Sequence, residues 1–257
     1  MKKLILSGVL ILSAVCASAQ SETTPGILWS ATHNVEYAVS AGINIGGTSP
    51  LPLPAEIREI NSYSPNMNLS VSGSATKWLG RDKNWGVMLG VSLGTRGMET
   101  RATVKSYSME IIDGGGSLSG YWTGRVQTKY TSTLLSIPVS AVYRVNKRLR
   151  VNFGPYVGFH IKGDFHGSVS DGYLRKDTPT GDKVEFTDGK EATYDFSDEL
   201  RTFQWGLQGG VTWSAFKHLS VYGTLNWGLN DIFKSSFKTI TFDMYPIYLN
   251  AGFGYAF

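Results

Sequence analysis

One cysteine, Cys16, stands in 257 residues, inside an N-terminal apolar run. A lone cysteine excludes a disulfide framework, and a chain cut after that run keeps no thiol for catalysis or metal binding. Beyond that run no apolar segment approaches the ~20 residues of a spanning helix. Charge is sparse as well: 17% of residues are charged and the formal net charge is +4. There is no basic block, which argues against a nucleic-acid partner. Nucleophile elbow, HExxH and compact Ser/His/Asp grouping are all missing, so the chain reads as a non-enzyme with no cofactor.

What is present begins with an export signal. Lys2 and Lys3 precede the apolar run Leu4 to Val15, and Ala17-Ser18-Ala19 forms a small-residue cleavage site before Gln20. A lipoprotein signal is the rival, because Cys16 follows the apolar run, but Val15 stands where a small residue is needed. Residues 1–19 are therefore expected to be removed, leaving 20–257 as one domain. The 30 glycines and 12% aromatic content suit strands more than helices.

The final stretch decides the class. Tyr245, Ile247, Leu249, Ala251, Phe253, Tyr255 and Phe257 share one parity, and Tyr248, Asn250, Gly252, Gly254 and Ala256 share the other. A period of two places an apolar face against a small or polar one. The same alternation recurs over residues 36–46, 67–79, 85–94, 135–143, 151–162, 203–213 and 221–229. Connections alternate long and short, with polar turns at 80–84, 146–148 and 217–218. Each segment holds about the 9–11 residues that cross a bilayer at a tilt. These features predict an all-β fold: a single antiparallel, up-and-down transmembrane β-barrel of eight strands, with both termini in the periplasm. Such a barrel is just wide enough for side chains to fill it, so a solute channel is not expected.

Between the strands, residues 47–65 read as an irregular loop because Pro50, Pro52 and Pro54 remove ladder donors, with one helical turn over 55–60. Residues 95–112 read as a polar strand continuing outside the membrane, and 164–200 as a long, solvated, acidic loop. Pro138 and Pro155 predict a local break or bulge, and are the one hint of a lateral opening.

The segments NMNLSVSGSATKWLG, WGVMLGVSLGTRGM, LLSIPVSAVYRVNKRLRVNFGPYVGFHI and NAGFGYAF resemble the PorT-like outer-membrane β-barrel family of Bacteroidota. The resemblance implies an integral outer-membrane location and a place in protein secretion or surface assembly. It carries no functional residue with it. Phe253, Tyr255 and Phe257 resemble the C-terminal signal that the barrel insertion machinery reads.

Candidate sites are few. Arg144, Tyr156, His160 and Lys162 share the inferred lumen face and form a candidate polar cluster, either a charged lining or a network that fills a narrow barrel. His160 and His166 lack the spacing of a metal motif. Trp78, Trp85, Trp205, Trp213 and Trp227, with Tyr37, Tyr143 and Tyr255, read as interfacial girdles. The expected function is non-enzymatic: a structural or accessory barrel whose extracellular loops contact partners, such as secretion or surface-protein subunits, with outer-membrane lipid around it. The alternatives are a small-ligand or lipid-handling barrel, including an acyl-chain enzyme, and a soluble barrel with its apolar parity turned inward.

Overall fold

The computed structural model describes residues 34–257 except Met67, Arg81, Gly114 and Asp188. The signal segment 1–19 and the start of the second predicted strand at Met67 lie outside the described residues. Among those described, the strands are β1 (Val35–Pro50), β2 (Ile57–Pro65), β3 (Asn68–Leu79), β4 (Trp85–Asp113), β5 (Gly116–Arg144), β6 (Leu149–Lys176), β7 (Lys183–Phe186), β8 (Ala192–Asp195), β9 (Phe203–Ser214), β10 (Leu219–Gly228) and β11 (Met244–Ala256).

Eight of these close a ring. The order runs β3-β1-β11-β10-β9-β6-β5-β4, and β4 pairs with both β5 and β3, every pairing antiparallel. Closure falls between the first and last strands, from Ala38↔Ala256 to Pro50↔Met244. The pattern that makes these residues strands also sets which face is which. Leu69 is 67% exposed, Phe253 63% and Phe153 62%, while Asn68, Ser70, Thr76 and Ser140 are buried. Apolar side chains thus point away from the sheet and small polar ones into it, the arrangement for lipid outside and a polar lumen inside.

Glycine permits the tightest wall contacts. Gly42 pairs with Gly252 across the closure, and a Cβ at Gly252 would lie 2.1 Å from the Ala41 carbonyl oxygen. Pro138 and Pro155 meet the expectation of a local break but not of a bulge. The register of β5 against β6 is the same at Pro138↔Tyr156 and at Ala141↔Phe153, while no ladder pair joins Val139 and Ser140 to Pro155 and Gly154. Gly154 lets the two backbones approach, since a Cβ on it would sit 2.1 Å from the Val139 carbonyl oxygen. The two backbones stay close at this seam although their ladder is interrupted.

Three strands outrun the bilayer. β4 and β5 have 29 residues each and β6 has 28, whereas about 9–11 suffice for a crossing. Past the bilayer edge the apolar parity changes sides. On β4 the outward Val87, Leu89, Val91 and Leu93 give way to inward, buried Met98, Val104, Met109 and Ile111. These join Trp122, Val126, Tyr130, Phe165, Val169, Phe186, Tyr194, Phe196 and Phe233 in one core. The protein therefore has its hydrophobic core outside the membrane-spanning part, in a lobe above the barrel mouth.

The lobe corrects two expectations. Residues 164–200 are not a solvated loop: β6 runs on to Lys176, β7 and β8 pair with it, and a short 3-10 turn spans Ser197–Glu199. Residues 47–65 are not irregular throughout either. β1 continues to Pro50, residues 51–56 form the irregular turn, and β2, which takes in 57–60 of the stretch expected to turn helically, lies against β4 from Ile57↔Val104 to Pro65↔Met98. Alternating residues in β2 hid its pairing because the strand has two register shifts.

Gly252→Val drives a branched side chain into the Ala41 backbone and costs about 1–3 kcal/mol, as overpacking does. The expected result is that the folded, fast-migrating band on unboiled gels is lost at a lower temperature than in the wild type.

Candidate functional site

Small and polar side chains on the inward parity build a layered column inside the ring. At the periplasmic end, Glu36 on β1 is the centre of a cluster. Arg150 is ion-paired to it, the Trp78 indole N–H donates to it at 3.2 Å, and Arg144 lies 3.9 Å away while stacking over the Trp78 ring at 4.0 Å. Trp78 is thus an inward, buried residue, correcting its reading as an interfacial tryptophan. The other girdle residues, Trp85, Trp205, Trp213, Trp227, Tyr37, Tyr143 and Tyr255, are exposed on the outer face. So are Phe253 and Phe257.

The middle of the column is hydroxyls and amides. The Ser40 and Ser72 hydroxyls lie 2.6 Å apart, the Asn250 amide donates to Asn44 at 2.8 Å, and Gln208 donates to Ser140 at 3.1 Å. A polar cavity of about 160 Å³ lies among them. It is large enough, and has partners enough, for a few ordered waters.

The outer layer centres on Arg96 of β4, which is 6% exposed. Its guanidinium donates to the Gln204 carbonyl oxygen at 3.4 Å, and the Gln204 amide donates to the Tyr156 hydroxyl at 3.2 Å. The same guanidinium lies 5.9 Å from the Tyr156 ring centre and 5.2 Å from that of Tyr248. Among the described residues no carboxylate is ion-paired with it. Amide and π-faces, rather than an anion, hold this buried cation. Beside it, the Ser132 hydroxyl and His160 Nδ1 lie 2.5 Å apart. Among the described residues no acid is hydrogen-bonded to that histidine as a hydrolytic triad requires, and Ser132 is buried.

The four candidate residues therefore do not form one cluster. Tyr156 and His160 meet in the Arg96 layer. Arg144 belongs to the Glu36 cluster at the opposite end. Lys162 leaves the lumen altogether: β6 pairs Thr133↔Lys162 and then Leu134↔His160, so the bulge at Ile161 turns it outward. Its side chain is 73% exposed and pairs with Asp164 at 3.3 Å. Counting by twos missed this extra residue. Arg96, Gln204, Tyr248 and Glu36 were not singled out from the sequence. Yet Arg96 shares parity with Gly90, Ser92 and Gly94, and Glu36 with Ala38 and Ser40, so the alternation itself carried the signal.

In the lobe, burial raises the phenols of Tyr107 and Tyr194 well above their ordinary value, keeping both neutral. Burial also raises Asp231, against the lowering effect of the Met244 N–H. Asp195 is lowered, first by the Ser197 hydroxyl and then by the Ser197 N–H, at 2.6 and 2.9 Å.

Two outcomes test this arrangement. Gln204→Leu removes the acceptor of a buried cation and lowers stability by about 1.5–3 kcal/mol, whereas the outward Lys162→Ala changes it by less than about 0.5 kcal/mol. Thermal unfolding in detergent reads both. Because Asp195 is lowered in the folded lobe, its contribution is complete above the ordinary value of 3.8 and fades as pH falls through the lowered one. Protease cleavage of residues 196–202 on whole cells accordingly rises only in that acid range, and Asp195→Asn removes the dependence.

The family described as outer membrane protein beta-barrel domain matches residues 18–234, and the chain belongs to it. No curated protein matches the chain. Among solved structures, it is similar to Ail, the attachment invasion locus protein of Yersinia pestis, crystallised with the heparin analogue sucrose octasulfate. That likeness has 11% identity, covers 87% of this chain and 99% of that one, and has a TM-score of 0.38. Neisserial surface protein A is similar at 13% identity over 87% and 97% of the two chains, with a TM-score of 0.34. OprG of Pseudomonas aeruginosa gives 14%, 86%, 95% and 0.24 respectively. These likenesses are too distant to transfer a ligand or a residue's role.

Proposed function

We propose that this outer-membrane barrel is a non-enzymatic anchor that holds a partner-binding lobe above the cell surface. One observation supports the reading: β4, β5 and β6 run on past the bilayer and build a packed core of their own. Order of that kind costs conformational entropy, and a barrel that only needed short loops would have no use for it. The lumen favours the same reading. Its cross-section is occupied by the Glu36 cluster at one end and the Arg96 layer at the other, leaving no wide path for solutes.

The resemblance to PorT-like barrels makes protein secretion or surface assembly the specific setting we propose, with a secretion or surface-protein subunit as partner. Residues 1–19 serve as a cleaved export signal in this reading, and Phe253, Tyr255 and Phe257 as the segment read by the insertion machinery. A hydrolytic or acyl-transfer role has less support, because Ser132 and His160 face Arg96 and Gln204 instead of a carboxylate.

The test is capture from intact cells. Photo-crosslinkers placed at exposed lobe positions such as Arg125 and Lys183 are expected to trap a second envelope protein that also co-purifies in mild detergent. A monomer that crosslinks to nothing at either position, while remaining heat-modifiable, counts against the anchor reading. In planar bilayers the purified protein is expected to give no stable open-channel conductance, and a steady large conductance would contradict the filled lumen.

A further inference from the structure

The ring is complete through the membrane but not above it. Among the described residues, β1 pairs with β3 as far as Asn44↔Asn68 and continues to Pro50 along β11. On the far side of the gap, β2 pairs with β4. Among the described residues no ladder joins β1 to β2, so two strand edges face each other at the outer end of the barrel wall.

Behind the gap lies a cavity of about 280 Å³. Its lining is mostly apolar, with Ile57, Ile60 and Tyr63 from β2, Met98 and Val104 from β4, and Phe242 from the last loop as the chief walls and a few threonine and serine hydroxyls among them. An apolar cavity of ~150 Å³ already takes up a benzene molecule and stays dry, so this space is ample for an apolar ligand. The cavity is lined from both faces of the sheet. Thr48 and Pro50 belong to the inward parity of β1 and are buried, whereas Gly47 and Ile247 belong to the outward parity. It therefore passes through the wall instead of lying on one side of it. Gly47 keeps the passage free of a side chain of its own, and a Cβ there would meet the Met98 sulfur at 2.5 Å.

The position of the opening selects the ligand. Ile45, Leu69 and Leu249 are exposed on the outer face just below it and mark the outer end of the lipid-facing band. Gly47↔Ile247 lies two ladder pairs above Ile45↔Leu249, on the same parity. Anything entering sideways at this height comes from the outer edge of the bilayer. We propose that the gap between β1 and β2 is a lateral entrance through which the lobe cavity takes up one acyl chain of a membrane-resident lipid. The amphiphile's head group stays at the interface while the chain replaces the space between Ile57, Met98 and Phe242. This site is separate from the polar lumen and from the partner surface proposed above, and it stands or falls without either.

The experiment uses the full-length mature protein in nanodiscs containing a phospholipid with a diazirine on its acyl chain. After photolysis and digestion, labels are expected on the cavity peptides carrying Met98 and Phe242, in addition to the lipid-facing belt. Ala102→Phe, which fills the cavity from β4, is expected to cut labelling of the cavity peptides roughly ten-fold, equal to about 1.4 kcal/mol, while belt labelling is unchanged. Ala102→Leu serves as the milder filling variant, and heat-modifiable migration verifies that each variant is folded. Labelling confined to the belt overturns the proposal, and so does cavity labelling that both filling variants leave intact. A diazirine-bearing free fatty acid supplied from water is the comparison arm. Labelling of the cavity by it, but not by the phospholipid, would place the entrance on the aqueous side and overturn the lateral route.

Discussion

The constraint beneath this structure is that a backbone in hydrocarbon has no water to bond with, so every N–H and C=O in the span needs a partner in the protein. For a chain built from strands that condition is met only by a ring with no edge, and here the ring depends on β1 meeting β11 from Ala38↔Ala256 outward. The consequences follow in order. Closing eight strands leaves a lumen barely wider than its own side chains, so the interior must be small and polar residues that satisfy one another. That is why glycine and serine dominate the inward parity, and why large inward rings pair with guanidinium groups: Arg144 with Trp78, and Arg96 with Tyr156 and Tyr248.

Once clear of the bilayer the constraint reverses. Water now surrounds the strands, and apolar surface is better placed inside, where burial contributes about 25 cal/mol per Å². The chain answers by moving its apolar residues to the other parity. Leu93 faces lipid and Met98 faces the lobe core, although both belong to the same uninterrupted strand. The edge requirement also relaxes, since water can solvate an unpaired ladder. This is what permits β1 and β2 to part above Asn44, where solvent or interface can serve the unpaired edges.

Much of this was legible in the sequence. The alternation at 36–46, 85–94 and 245–257 located three ring strands because a one-residue slip would put the whole apolar face in the lumen. Short polar turns and long outer connections gave the topology. What was lost has a physical reason in each case. The lobe was read as loop because its alternation is weaker: polar threonines, serines and charged residues fill its outward face, and its core comes from strands far apart in sequence, such as Met109, Trp122 and Phe186. Lys162 was placed on the wrong side because a bulge inserts one residue without a compositional mark. Pro138 and Pro155 suggested a weak seam, and the ladder does break between them, but Gly154 keeps the two backbones close through a contact no linear pattern reveals.

By itself the sequence determined the class of the protein: the period of two, the small-residue face and the polar turns leave a closed transmembrane barrel as the solution in which all backbone groups are paired. It also determined which side of each spanning strand meets lipid, since that is a property of parity alone. Only the tertiary structure decided which inward residues meet. Glu36 with Arg144 and Arg150, Arg96 with Gln204 and Tyr156, and the gap between β1 and β2 all join segments distant in the chain. Their distances are set by strand register and bulges, which depend on the whole ring closing and are written in no single segment.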